Sequence, residues 1–126
     1  MGGILSRKRK EFFDIFPDNL KKVIDLNLMG TVLPSLILGK IMANQKSGSI
    51  INISSMASKD ALSRVLGYSI GKAGVEIFTK WMAMELAAKF GEKMRVNALK
   101  VVISNRIIYY FFHLICFNSP LSLFCF

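Results

Sequence analysis

The sequence predicts an α/β fold with a parallel sheet. Three observations carry that expectation. Two long stretches have apolar residues recurring every three to four positions, the period of a helix. Each is followed by a short apolar run, Ser-Ile-Ile-Asn-Ile-Ser at 49–54 and Met-Arg-Val-Asn-Ala-Leu at 94–99. Helix and strand therefore alternate, which is the pattern of crossover units joining parallel strands. With 126 residues, 52% hydrophobic and 20% charged, the chain suits a single domain with its own core and is too apolar for bulk disorder.

The elements follow in order. Residues 1–11 read as an irregular basic arm. After Pro17 and Asp18, the positions Leu20, Val23, Ile24, Leu26, Leu28, Val32, Leu36 and Ile37 predict a helix over 18–44. Gly30 and Pro34 fall inside it. A proline lacks the backbone donor, so a kink or a break is expected near there. Residues 45–48 form a polar turn. In the strand at 49–54, Ile50, Ile51 and Ile53 do not alternate cleanly, which predicts burial on both faces. Residues 55–66 read as a loop. A second helix over 67–90 carries the apolar stripe Ile70, Ala73, Ile77, Trp81, Met84 and Ala88, and Gly91 stops it. Trp81, Met82 and Met84 read as core or subunit interface, and Asn52 and Asn97 as structural residues bonding nearby backbone. The second strand spans 94–99.

From Lys100 the composition changes. Residues 99–126 hold nineteen apolar residues of twenty-eight, no acidic residue and both cysteines, Cys116 and Cys125. This reads as a tail over 100–126. Its apolar runs are interrupted by Lys100, Ser104, Asn105 and Arg106, too early for a membrane-spanning helix of about twenty residues. Neither cysteine has a partner at metal-ligand spacing, and His113 stands alone. No disulfide framework and no metal site are expected, which fits a reducing, cytoplasmic setting. The net charge of +9 is spread along the chain, with only Arg7 to Lys10 forming a run. Diffuse positive charge suits an anionic ligand and is weak evidence for nucleic acid.

The chemistry concentrates in Ser55 and in Tyr68-Ser69-Ile70-Gly71-Lys72. Tyr68 and Lys72 are four apart, so on a helix they share a face one turn apart. A phenol ordinarily ionises near pH 10, and an ammonium one turn away favours its anion. A serine hydroxyl nearby can hydrogen-bond a substrate oxygen. The three make a proton-transfer centre for alcohol and carbonyl chemistry.

Four blocks extend this pattern: Asp25-Leu26-Asn27-Leu28-Met29-Gly30-Thr31, Gly48-Ser49-Ile50-Ile51-Asn52-Ile53-Ser54-Ser55, Tyr68-Ser69-Ile70-Gly71-Lys72-Ala73-Gly74 and Arg95-Val96-Asn97-Ala98. In these blocks, and in the thirteen-residue step from Ser55 to Tyr68, residues 12–99 resemble the short-chain dehydrogenase/reductase family. Asn27, Ser55, Tyr68 and Lys72 stand at its Asn-Ser-Tyr-Lys tetrad. Asn52 to Ser58, Leu62-Ser63-Arg64 and Phe12-Phe13-Asp14 resemble its D-mannonate oxidoreductase or fructuronate reductase branch.

The resemblance implies a Rossmann-type doubly wound parallel sheet, here its central-to-late portion without the first βαβ units. It implies an oxidoreductase using NAD or NADP on an alcohol or ketone, a sugar acid in that branch. Tyr68 is the implied general acid and base. Lys72 supports it and bonds the nicotinamide ribose, so Tyr68 and Lys72 are also the implied cofactor contacts. Ser55 polarises the carbonyl, and Asn27 holds a relay water. A homo-oligomer is implied as well. The glycine-rich phosphate turn expected in such a family has no counterpart beyond Gly2-Gly3, and Lys100-Val101-Val102 replaces the family's Pro-Gly turn. The expectation is therefore a truncated and poorly active central piece with a non-family tail, the product expected from a frameshift, a read-through or a mispredicted gene. An exposed edge on the first strand would make it prone to associate.

A different class of function also has a sequence basis. Met1-Gly2-Gly3-Ile4-Leu5-Ser6 fits an N-myristoylation pattern and precedes a basic run. That would suit a non-catalytic membrane-associated or regulatory module. The motif is short and matches by chance often, and the basic run resembles a nuclear signal just as weakly. Neither membrane nor nucleic acid is the expected partner.

Overall fold

The computed structural model describes residues 13–60, 62, 65–101 and 113–115, the last three as backbone. The proposed acyl motif, the basic run and most of the apolar tail lie outside the described residues. Helix α1 spans Pro17–Ile24, a π-helical turn spans Asp25–Met29, and α2 spans Gly30–Gln45. Strand β1 (Gly48–Ser55) leads into a 3-10 turn, Met56–Ser58, then into α3 (Leu66–Phe90), β2 (Met94–Val101) and β3 (His113–Ile115). The fold is α/β, as a segment of a Rossmann-type sheet should be.

Local chemistry accounts for the boundaries. Pro17 occupies the first turn of α1, where its missing donor costs nothing, and Asp18 complements the helix dipole. Helix α2 continues without a break through Pro34. Gly30 and Pro34 are both exposed, so water can serve the carbonyl that the proline leaves unpaired. The irregularity expected near Gly30 and Pro34 sits just upstream instead, as the π turn centred on Asn27. There the Thr31 hydroxyl donates back to the Asn27 carbonyl at 3.3 Å. Lys46 closes α2 in the left-handed conformation, φ 56°. Gly91, with φ 99°, ends α3 at the position the sequence marks.

Strands β1 and β2 pair in parallel, with Gly48 opposite Met94 and Ser55 opposite Val101. Strand β3 pairs antiparallel with β2, Ala98 opposite Ile115. Strand β2 thus runs through the composition change at Lys100. The core lies between the sheet and the helices: Met42 from α2, Ile50 from β1, Met82 and Ala83 from α3, Met94 and Val96 from β2.

Two expectations are corrected here. Strand β1 alternates after all: Ile50, Asn52 and Ser54 are buried, whereas Ile51 and Ile53 are 56% and 49% exposed. The described helices cover one face of the strand only. On α3, every residue of the expected apolar stripe, from Ile70 through Trp81 to Ala88, is exposed. The buried side is instead made of Gly67, Gly71, Val75, Thr79, Met82 and Ala83. Small residues let helices approach closely. Gly67 faces Leu20 and Val23, Gly71 faces Asn27, and Gly74 faces Leu28, so α1 and the π turn lie along a glycine-lined seam of α3.

Asn52 is structural, though it bonds side chains rather than neighbouring backbone. It accepts from Ser35 of α2 at 3.1 Å and donates to Thr79 of α3 at 3.0 Å. One buried amide therefore ties both helices to β1 and leaves little polar surface unpaired.

Candidate functional site

The site forms where the C-terminal end of β1 meets the first turns of α3. In an open parallel sheet, ligands bind beyond the carboxyl ends of the strands. Ser55 is the last residue of β1 and caps the 3-10 turn: its Oγ accepts from the Ala57 amide at 3.2 Å. Because Oγ is the acceptor in that bond, its own proton remains available to a substrate oxygen.

Tyr68 and Lys72 project from one face of α3, as their spacing requires. The Lys72 Nζ lies 5.7 Å from the centroid of the Tyr68 ring. It also donates to the Ile53 carbonyl at 2.9 Å, which pins the ammonium beside the strand that carries Ser55. Asn27 reaches this region through the π turn. A Cβ built on Gly71, next to Lys72, would sit 2.9 Å from the Asn27 Cβ. The Asn27 amide nitrogen donates back to the Val23 carbonyl at 2.9 Å, within its own helix. The structure thus brings Tyr68 and Lys72 together, sets Ser55 at the adjoining strand end, and packs Asn27 against the glycine before Lys72.

A second cluster adjoins the first, and it was not read from the sequence. Glu76 lies one turn beyond Lys72 on α3. Its Oε1 accepts from Ser54 Oγ at 2.6 Å and from Ser58 Oγ, and it pairs with Lys100 Nζ at 3.3 Å. The Glu76 and Lys100 side chains are only 14% and 12% exposed. Burial works to raise the Glu76 carboxyl, but the bonds from Ser54 and Ser58 and the Lys100 charge outweigh it and hold the group below the usual carboxylate range. The signal available in the sequence was the spacing of four through Tyr68, Lys72 and Glu76. Lys100 gave none, because it follows the last motif block, Arg95-Val96-Asn97-Ala98, at the change in composition.

Among the described residues, no group of three or more His, Cys, Asp or Glu is placed to hold a metal ion. A nicotinamide cofactor fits in part. The phenol and ammonium of Tyr68 and Lys72 offer hydrogen-bonding groups of the kind a ribose takes. No glycine-rich strand-to-helix turn for a pyrophosphate occurs among the described residues.

A family model for short chain dehydrogenase matches residues 2–103. The chain belongs to the short-chain dehydrogenase family. Among relatives of the chain, a 3-oxoacyl-[acyl-carrier-protein] reductase from Synechocystis is 46% identical over 72 residues, covering 57% of this chain and 29% of that protein. Among solved structures, a candidate D-mannonate oxidoreductase from Haemophilus influenza with bound NAD superposes with a TM-score of 0.65 at 35% identity, covering 75% of this chain and 34% of that one. A gluconate 5-dehydrogenase from Burkholderia cenocepacia, in complex with NADP and tartrate, gives a TM-score of 0.63 at 28% identity, covering 69% and 33%. The chain spans about a third of the curated relatives it matches, 29–35% of the first three.

Proposed function

We propose that this segment carries the proton-transfer half of an NAD(P)-dependent oxidoreductase that interconverts an alcohol and a ketone. The observation supporting this most directly is the Lys72 ammonium held between the Tyr68 ring and the carbonyl of Ile53, two residues before Ser55 on β1. A bound nicotinamide cofactor would supply or accept the hydride. The chain's own residues handle the oxygen. Ser55 Oγ donates to the carbonyl and orients it. Tyr68 Oη gives the proton in reduction and takes it in oxidation. Lys72 places its positive charge beside the Tyr68 ring and would hold the ribose, and Asn27 supports the relay behind it.

A sugar acid is the proposed substrate class. The structure bound to NAD and the gluconate 5-dehydrogenase are both concerned with sugar acids by name, and the latter holds tartrate. The acyl-carrier-protein reductase shows that a different carbonyl class is served by a relative. NADP and NAD are equal candidates on the same grounds. We also propose a homo-oligomer, because Ile77, Trp81 and Met84 leave an apolar stripe of α3 exposed.

The test is a fluorescence titration with NADH and with NADPH, followed by turnover on D-fructuronate. The 126-residue chain should bind in the high micromolar to millimolar range of weak sites, and Lys72→Ala should weaken that binding. Tyr68→Phe should lower turnover about 10²- to 10⁴-fold, the usual weight of a general acid. Equal binding by Lys72→Ala together with equal turnover by Tyr68→Phe would overturn the reading. Membrane association is the rival reading, favoured by the helical stretch Pro17–Gln45, which is long and apolar enough to cross a membrane. Co-sedimentation with liposomes separates the two.

A further inference from the structure

The four candidate residues leave Glu76 without a role, yet it is the most heavily bonded side chain near them. Three donors converge on its Oε1: Ser54 from β1, Ser58 from the 3-10 turn and Lys100 from β2. Two of the three flank Ser55 in sequence. Ser54 immediately precedes it, and Ser58 also contacts the Ser55 carbonyl at 2.7 Å. Ser54 and Lys100 lie directly opposite one another in the parallel ladder, so one carboxylate grips two strands and the turn together.

We propose that Glu76 is a positioning residue for Ser55: by holding Ser54 and Ser58 it fixes the backbone on both sides of Ser55 and aims that hydroxyl toward the substrate oxygen. The inference rests on the oxidoreductase reading for its purpose, but not for its geometry. The carboxylate touches neither substrate nor Tyr68 in this scheme. It acts through the two serines, and Lys100 neutralises its charge where water is scarce. Tyr68, Lys72 and Glu76 follow one another at a spacing of four along one face of α3. Tyr68 and Lys72 address the ligand from the first turns, and Glu76, one turn further, addresses the strand end.

The geometry has its own reporter. The Ala57 amide donates to Ser55 Oγ, so its hydrogen exchange reads the placement of that hydroxyl whether or not the chain turns over. In Glu76→Gln, exchange at Ala57 should accelerate about tenfold, while Met82 and Ala83 in the core of α3 stay protected. No change at Ala57 would overturn the proposal. If exchange rises everywhere, the variant has lost its fold, and Ser58→Ala decides. That variant should expose Ala57 selectively, and either no effect or a uniform one would overturn the proposal. Where turnover is measurable, Glu76→Gln should lower kcat and leave the cofactor KM unchanged. A chain that never turns over counts against the oxidoreductase reading, and the exchange result stands apart from it.

Discussion

At the scale of single residues, this site is a matter of where protons and charges are held. Ser55 accepts from Ala57 and keeps its proton for a ligand. Lys72 is fixed by a carbonyl rather than left to sweep solvent. Glu76 has the sharpest consequence. Its carboxyl is held below the ordinary glutamate value of 4.5. The unfolded chain therefore binds a proton at Glu76 more readily than the folded chain does. The stability this group contributes is complete above the unfolded value and is lost as pH falls through 4.5 toward the folded one. At pH 7, Glu76→Gln should be less stable by about 1–3 kcal/mol, the scale of hydrogen bonds to a charged group. Urea melts should show that gap closing as the pH falls below 4.5, because only the unsubstituted chain loses the contribution. A gap that stays constant with pH would mean the carboxylate charge is not what the serines and Lys100 hold.

At the scale of elements, close approach replaces bulk. Helix α3 buries glycines, Val75, Thr79, Met82 and Ala83, leaving Ile70, Ile77, Trp81 and Met84 outside, and α1 with the π turn settles against the glycine-lined part of that face. Two glycine substitutions separate packing from helix propensity. Gly71→Ala places a methyl 2.9 Å from the Asn27 Cβ, a position with no free rotation to relieve it. It should destabilise by about 1–3 kcal/mol, as overpacking does. Gly30→Ala meets nothing within 4 Å and has ordinary helical backbone. It should stabilise by about 0.5–1 kcal/mol. Thermal or urea melts of the pair give the contrast, and Gly71→Ala matching Gly30→Ala would refute the seam. The periodicity of α3 was legible in the sequence. Which of its faces is buried was not, because Ile70, Ile77 and Trp81 make as good an apolar stripe as any core, and only the neighbouring helix selects the small one.

For the whole molecule, those same exposed residues set its behaviour in solution. Ile77, Trp81 and Met84 line one outer strip of α3, and Leu33, Ile37 and Ile41 are exposed on α2. Ile51 and Ile53 add an exposed face of β1, whose far edge pairs with no strand among the described residues. Apolar surface of that kind is covered by association. The chain should elute as concentration-dependent oligomers in size exclusion with light scattering. Emission of Trp81, the sole tryptophan, should shift to the blue as mass rises. Ile77→Glu should return the distribution toward monomer. A monodisperse monomer at all concentrations would remove the association.

The sequence alone pointed to the two long helical stretches, the strands β1 and β2, their parallel arrangement and the stop at Gly91, and its resemblance to a family supplied the four residues of the candidate tetrad. The helices, the stop and the Tyr68–Lys72 pair are local signals: a period, a cap and a spacing of four on one helix face. Its four motif blocks pointed to the family that the match over residues 2–103 establishes. The tertiary structure decided what depends on distant segments meeting. It placed the π turn under Asn27, turned the large apolar face of α3 outward, and carried β2 through Lys100. It also gathered Ser54, Ser58, Glu76 and Lys100 at one carboxylate oxygen. Those four residues come from two strands, a turn and a helix. No periodicity within any one of them records the others, because the contact exists only after the parallel ladder sets Ser54 opposite Lys100 and α3 crosses above both.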